Sequence, residues 1–270
     1  MNMIRYQPVR LGQQRGATLI AVLFILLLIT IIGVMAMRQG LTTLNISTNS
    51  QVRSILVQSS DTILNKFATM DLTASGAVSL ASVIGSALDD SNAGREMVFC
   101  YRPTTTQTFG LMLNANMIHA NPAAGASGDV SIVDDSGGSG FCDLTADFGS
   151  GRQAAVTQVA VTKPTEESSE PPGSHLTRDT SVSEGTPTTK FATQKRIRVT
   201  STAMLPSMAT GDLSVVQSSC LNGRISDNGD PQNASKETIT DCLARNGVPA
   251  NTQVQEYNLS NGLTQTTAIN

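Results

Sequence analysis

Apolar residues occur in two regimes along the chain. From Ala17 to Met37 the sequence ATLIAVLFILLLITIIGVMAM carries no charge across 21 residues. At about 1.5 Å of rise per residue this matches the roughly 30 Å hydrocarbon core of a bilayer. Further on, the apolar pattern narrows to a stripe. Leu41, Leu44, Val52, Ile55, Leu56, Ile63, Leu64 and Phe67 recur at three- and four-residue steps, the spacing of one helix face, which puts Thr42, Asn45, Asn49 and Ser60 on the polar side. No Pro interrupts residues 9–102. The pattern predicts one helix over about residues 17–70, on the order of 80 Å long, membrane-spanning in 17–37 and amphipathic in 38–70.

After Met70 the helical period gives way to short runs. Val78, Leu80, Ile84 and Leu88 fit a short helix ending near Asp89, and strands are expected at Glu96–Tyr101, Phe109–Leu113, Val130–Val133, Ala154–Thr162, Lys195–Leu205 and Leu213–Gln217. The clearest alternation is Lys195-Arg196-Ile197-Arg198-Val199-Thr200, with Ile197 and Val199 on one face. Residues 163–190 hold Pro164, Pro171, Pro172 and Pro187 among Ser, Thr and Glu and read as a flexible loop. The fold class is α+β: a long N-terminal helix packed on a β-rich domain over residues 71–270, with long loops. Only Phe191 and Tyr257 are aromatic in residues 150–270, so that half is expected to have a thin core.

Charge separates the front of the chain from the rest. The 18 Lys and Arg against 21 Asp and Glu give −3 overall. Arg5, Arg10 and Arg15 precede the first carboxylate, Asp61; without residues 1–16 there are 15 bases against 21 acids, a net of −6. A basic leader ahead of an apolar helix stays cytoplasmic by the positive-inside rule, and the remainder is exported. No basic excess exists to neutralise a phosphate backbone, so no nucleic acid is expected to bind directly. Val34-Met35-Ala36 would serve as a signal-peptidase site, but the apolar run exceeds the about 7 to 15 residues of a secretory signal core.

Arg15-Gly16-Ala17-Thr18-Leu19-Ile20, followed by that helix, resembles the class III signal of type IV prepilins. The resemblance implies a leader of residues 1–16, cleavage between Gly16 and Ala17 by prepilin peptidase, and methylation of the new Ala17 amine. Gly33-Val34-Met35-Ala36-Met37-Arg38, with Leu41-Thr42-Thr43-Leu44 and Asn49 beyond it, is similar to the N-terminal region of PilX-type minor pilins. The likeness covers about residues 14–52. Two positions depart from it. Ala21 stands where major pilins carry Glu as the fifth residue after the cut, as in some minor pilins and the K-type pseudopilins of type II secretion. The stretch Leu41–Asn49 lacks the acids common in PilX-type relatives.

The exported domain contains Cys100, Cys142, Cys220 and Cys242, which in an oxidising compartment are expected to pair. Three pairings are possible. Sequence order favours Cys100 with Cys142 and Cys220 with Cys242, the second closing a C-terminal loop that resembles the disulfide-bounded region of pilins. No C-x-x-C is present and neither His119 nor His175 lies near a Cys, so zinc is not expected. Asp227-Asn228-Gly229-Asp230 is a weak calcium candidate through Asp227 and Asp230, and Asp134-Asp135 a poorer one. Both lack full ligand spacing with a terminal bidentate Glu, and D-N-G is good turn chemistry in its own right. No G-x-S-x-G surrounds any Ser, and Gly137-Gly138-Ser139-Gly140 lacks the Lys-Ser/Thr of a phosphate loop. No cofactor, catalytic group or enzymatic activity is expected.

The resemblance implies a structural subunit that waits in the inner membrane with a periplasmic domain and then joins a tip or priming complex of a type IV pilus, supporting twitching, adhesion or DNA uptake. Its implied partners are other minor pilins and the major pilin through the N-terminal helix, prepilin peptidase, the inner-membrane assembly platform and a large tip adhesin. The alternatives are a K-type pseudopilin of type II secretion and a membrane-anchored periplasmic enzyme or adhesin.

Overall fold

The computed structural model describes residues 17–70, 81–103, 110–121, 129–135, 140–165 and 195–259. Its first element, α1, is an unbroken helix of 52 residues from Ala17 to Ala68. The chain divides into two compact units after Gln51. In the first, every residue from Thr18 to Gln51 is exposed; the stretch to Met37 is apolar all round, the pattern of a membrane span. Its threonines satisfy their own hydroxyls: Thr30 donates to the Leu27 carbonyl at 2.8 Å, and Thr42, Thr43 and Thr48 each donate four residues back.

The second unit is built on one six-stranded antiparallel sheet. Its strands are β1 (Glu96–Cys100), β2 (Ala115–Ala120), β3 (Val130–Asp135), β4 (Val156–Thr162), β5 (Lys195–Met204) and β6 (Ala250–Leu259), in the order β3-β2-β1-β4-β5-β6. Two meanders thus meet along β1 and β4, where Val98 faces Ala160 and Glu96 faces Thr162. The registers keep odd-numbered residues on one face throughout β1, β4, β5 and β6, because side chains alternate along a strand.

The odd face is apolar and covered by helix. Ile63, Leu64 and Phe67 from the last turns of α1, with Val83, Ile84, Ala87 and Leu88 around α2 (Val83–Leu88), pack on Met97, Phe99, Met117, Val159, Val161, Ile197 and Val199. Further along α1, Leu56 meets Ala155, Ala203 and Leu205. Two polar tethers fix the helix on the sheet: Tyr257 Oη donates to the Leu64 carbonyl at 2.7 Å, and Asn251 Nδ2 to Ser60 Oγ at 2.9 Å. Ser60, expected on the polar side, is fully buried. Its small hydroxyl also donates to the Leu56 carbonyl, so it sits inside without an unpaired group. Ile55, placed in the stripe by spacing, is instead exposed.

The even face is covered by the chain between β5 and β6, with residues 140–148. That cover contains α3 (Leu213–Val216), a π-turn at Gln217–Leu221 and α4 (Ile239–Arg245). Aliphatic residues Leu144, Met204, Leu221, Ile239, Leu243 and Val248 fill this layer, so the scarcity of aromatics does not leave it thin. Gly140 is required by close approach: a Cβ there would lie 2.3 Å from the Asn116 nitrogen and 2.6 Å from the Val98 carbonyl oxygen. Helix α4 starts on a reciprocal Thr238–Asp241 capping box. It stops where Val248 N–H bonds the Leu243 carbonyl and Gly247, at φ +66°, bonds Ala244.

Several expected strands differ. Leu213–Gln217 is helical, because Asp212 accepts the Ser214 amide at 2.8 Å as an N-cap and Leu213, Val216 and Cys220 follow helical steps into the second core. The strand expected at Phe109–Leu113 starts at Ala115 instead, after Gly110 at φ +78° and a 3-10 turn at Met112–Asn114; Phe109 lies outside the described residues. Strand β6 and helix α4 were not anticipated. Asp134 and Asp135 belong to β3 and pair with Met117 and Asn116, so they form no acidic turn. Most of the expected loop at 163–190 and residue 191 lie outside the described residues.

Candidate functional site

Two regions carry chemistry beyond packing: the apolar first half of α1, and a charged seam on the even face of the sheet. In the first, Ala17 and Ala21 lie one turn apart on α1; Gly16 is outside the described residues. This is the one helix among the described residues that is long and apolar enough to cross a membrane, and it is a candidate anchor. Ala21 is uncharged, as is every residue from Ala17 to Met37.

The seam begins at Glu96, at the head of β1. Both of its carboxylate oxygens accept the Ser226 amide, at 2.9 and 3.1 Å. Burial pushes this carboxyl up to about 7, and the nearby Asp227 charge adds to the effect, while the hydrogen bonds to Ser226 and Asp227 oppose it. Two strands across, Arg198 on β5 gathers the next acids. Its Nη1 lies 3.0 Å from Asp227 Oδ2 and 3.4 Å from Asp230 Oδ1, while Nε and Nη2 bond Glu256 Oε1 on β6 at 2.9 and 2.8 Å. Burial works against the guanidinium charge, but Glu256, Asp227 and Asp230 outweigh it and raise its pKa. Arg196 adds a further ion pair to Glu256 at 3.2 Å.

This arrangement redefines the Asp227–Asp230 turn. Its two carboxylates, singled out from sequence as a weak calcium candidate, face a guanidinium. Gly229 lies so close to Arg198 that a Cβ would come within 2.9 Å of Nη1. The turn serves as a clasp between the covering segment and β5. Gln158 makes a second clasp, accepting the Cys142 amide at 3.2 Å and donating to the Leu221 carbonyl at 3.1 Å. Arg102 makes a third, bidentate to Asp147 at 2.7 Å through both Nε and Nη2.

Disulfides close the same layer. Cys100 at the end of β1 is bonded to Cys142, and Cys220 in the π-turn to Cys242 on α4. His119 is half-buried on β2; His175 lies outside the described residues. Among the described residues there is no group of three or more His, Cys, Asp or Glu side chains placed to hold a metal ion. A shallow groove beside α4 is lined by Arg224, Asn228, Lys236, Glu237, Asp241 and Arg245. Glu237 there pairs with both Arg224 and Arg245.

Sequence reasoning singled out the cysteines and the acidic turn but missed Glu96, Gln158 and Arg198 as the residues that hold the cover. The signal for Arg198 was present: it alternates with Ile197 and Val199, so it belongs to a sheet face rather than to a solvated loop. Compared with protein-family models, with curated proteins and with solved structures, the chain matches none.

Proposed function

We propose that this chain is a minor pilin of PilX type, a structural subunit of the complex at the tip of a type IV pilus that primes its assembly. One observation carries the reading: behind the leader-like motif at Gly16–Ala17, a single unbroken helix described over 52 residues is uncharged to Met37, and from Leu56 to Phe67 it packs into the core of an antiparallel sheet domain. A bilayer-length apolar stretch followed by an amphipathic one is the layout of a helix that serves first as an anchor and then as a core element. After removal of residues 1–16, prepilin peptidase would leave a methylated Ala17 amine. The subunit would then meet companion minor pilins, the major pilin and the assembly platform through residues 17–37, with a large tip adhesin above them.

Ala21 supports a position at the end of the filament. An ionised amine left unpaired in a membrane-embedded bundle costs about 2.5 to 3.5 kcal/mol on insertion scales. A subunit repeated along a shaft would incur this at every interface, whereas one at the tip incurs it at most once. The role is mechanical: the covering layer is braced by clasps and disulfides, and its charged groups face one another.

Immunogold labelling of sheared pili with antibody to the exported domain tests the reading. Label at filament ends, with twitching or DNA uptake lost and protein secretion intact on deletion, is the expected result. Even decoration along the shaft contradicts the tip position. Loss of secretion with pili intact would assign the chain to the type II pseudopilus.

A further inference from the structure

Three Asn-Gly pairs lie among the described residues, and the structure sets one of them apart. Asn222-Gly223 and Asn246-Gly247 close helical turns: Asn222 has φ −91° and ψ −14°, and Asn246 has φ −89° and ψ 9°. The Asn246 side-chain amide donates to the Cys242 carbonyl at 2.8 Å, and the Gly247 backbone amide to the Ala244 carbonyl at 3.1 Å. Asn228-Gly229 belongs to no helix or strand. Gly229 is exposed, and the Asn228 side-chain amide donates to the Lys236 carbonyl at a longer 3.3 Å. Gly229 is not placed here for backbone freedom, since its φ is not positive. Close approach requires it: a Cβ would meet Arg198 Nη1 at 2.9 Å and Asp227 Oδ2 at 3.0 Å. The clasp on Arg198 therefore puts after Asn228 the residue whose backbone amide has no side chain to shield it.

We propose that Asn228-Gly229 is a self-modifying site whose slow conversion opens the clasp formed by Asp227 and Asp230. The Gly229 nitrogen attacks Asn228 Cγ and forms a five-membered imide as the Cγ–Nδ2 bond breaks. Nδ2 leaves as ammonia, taking up the proton lost by Gly229. Water then adds to either imide carbonyl, and the ring opens to aspartate or to the isomer whose main chain runs through the former side chain. Closure requires the Gly nitrogen to eclipse the Asn Cβ. At ψ near zero it eclipses the Asn's own nitrogen, so Asn222 and Asn246 are held away from this reaction, a common fate of thermolabile Asn. Either product works against the clasp. A carboxylate has no proton to donate to the Lys236 carbonyl, and it adds a further acid to Asp227, Asp230 and Glu256 around Arg196 and Arg198. The isomer lengthens by a methylene the chain between Asp227 and Asp230, which both reach Arg198 Nη1, at 3.0 and 3.4 Å. The site stands or falls separately from the pilus reading.

Ageing the full chain, folded in detergent at pH 8 and 37 °C, tests both the reaction and its consequence. Trypsin cutting after Arg198, Arg224, Lys236 and Arg245 puts the three pairs on separate peptides, and fragmentation locates the change within each. Exchange of amide for acid at Asn228, with isoaspartate among the products, is expected at least about 10-fold ahead of Asn222 and Asn246, in keeping with the unshielded Gly229 amide. Limited proteolysis of the aged chain should cut within residues 206–249 faster than that of fresh chain. Asn228→Gln, which would have to close a less favourable six-membered ring, should age without that gain in sensitivity. The proposal is overturned if Asn228 keeps its amide, or converts no faster than Asn222 and Asn246. It is equally overturned if the converted chain resists the protease as fresh chain does, or if Asn228→Gln gains the same sensitivity on ageing.

Discussion

The two faces of the sheet are buried to similar depth but held by different physics. On the odd face, α1 and α2 lie on Met97, Phe99, Val159, Val161, Ile197 and Val199, with Phe67 6.5 Å from Phe99 and 6.4 Å from Tyr257 between ring centres. On the even face the cover has only short helices, so it cannot bring a long apolar stripe to the sheet. Beside the aliphatic layer of Leu144, Leu221, Ile239 and Leu243 it is fastened at points: Glu96 to Ser226, Arg198 to Asp227 and Asp230, Gln158 to Cys142 and Leu221, and two disulfides. A continuous helix adheres by area, whereas an irregular segment needs fixed polar and covalent anchors, each worth having only while every buried group in it is satisfied.

The largest effect is expected on the odd face. Phe67→Ala removes a buried ring shared by helix, β1 and β6 and should cost about 3 to 5 kcal/mol. The hydroxyl of Tyr257, the ring beside it, is raised by burial and by the Asp61 charge and stays protonated across this range, so the loss in denaturant titrations should be the same at pH 5 and pH 8.

On the even face, Cys220→Ala with Cys242→Ala opens a loop of sequence separation 22. It should cost about 3 kcal/mol by the chain-entropy argument. The distinguishing observation is spatial: limited proteolysis should cut first within residues 206–249, while the packing of α1 on the odd face persists.

A pH effect of similar or smaller size belongs to Glu96. Its carboxyl is raised from 4.5 to about 7 in the folded protein, so the folded state holds a proton that the unfolded chain releases. Stability therefore falls as pH rises between about 4.5 and 7, by up to about 3 kcal/mol, and stays lower above that window. Glu96→Gln keeps an acceptor for the Ser226 amide but cannot ionise. It should remove this slope and match or exceed the parent in stability at pH 8; an unchanged slope would mean that the Glu96 proton does not differ between the two states.

The same division explains what could be read in the sequence. The long helix was legible because its signals are local: 21 uncharged residues and then a three- and four-residue apolar step. Strands β1, β4 and β5 were legible because Val, Ile and Phe supply the period of two. Strand β6 was not, since Ala-Asn-Thr-Gln-Val-Gln-Glu-Tyr-Asn-Leu has the composition of a loop and becomes a strand only through its ten partners on β5. The helix at Leu213 was lost to the ambiguity of a short apolar run, which the Asp212 cap settles. The seam was illegible for a further reason. Glu96 and Ser226 are 130 positions apart, and although alternation places Arg198 on a sheet face, nothing local says that Glu96 or the acids opposite Arg198 are buried with it.

The central claim is that the chain is processed between Gly16 and Ala17 and that α1 anchors an assembly subunit. Intact-mass and N-terminal peptide spectrometry of the chain isolated from cells with active prepilin peptidase tests it most directly. The account predicts a mature chain lacking residues 1–16, beginning with N-methylated Ala17, and retention of the full-length form when Gly16→Val blocks the cut. A chain that keeps Met1 and its leader, or one cut after Ala36 so that the apolar helix is lost, would contradict it.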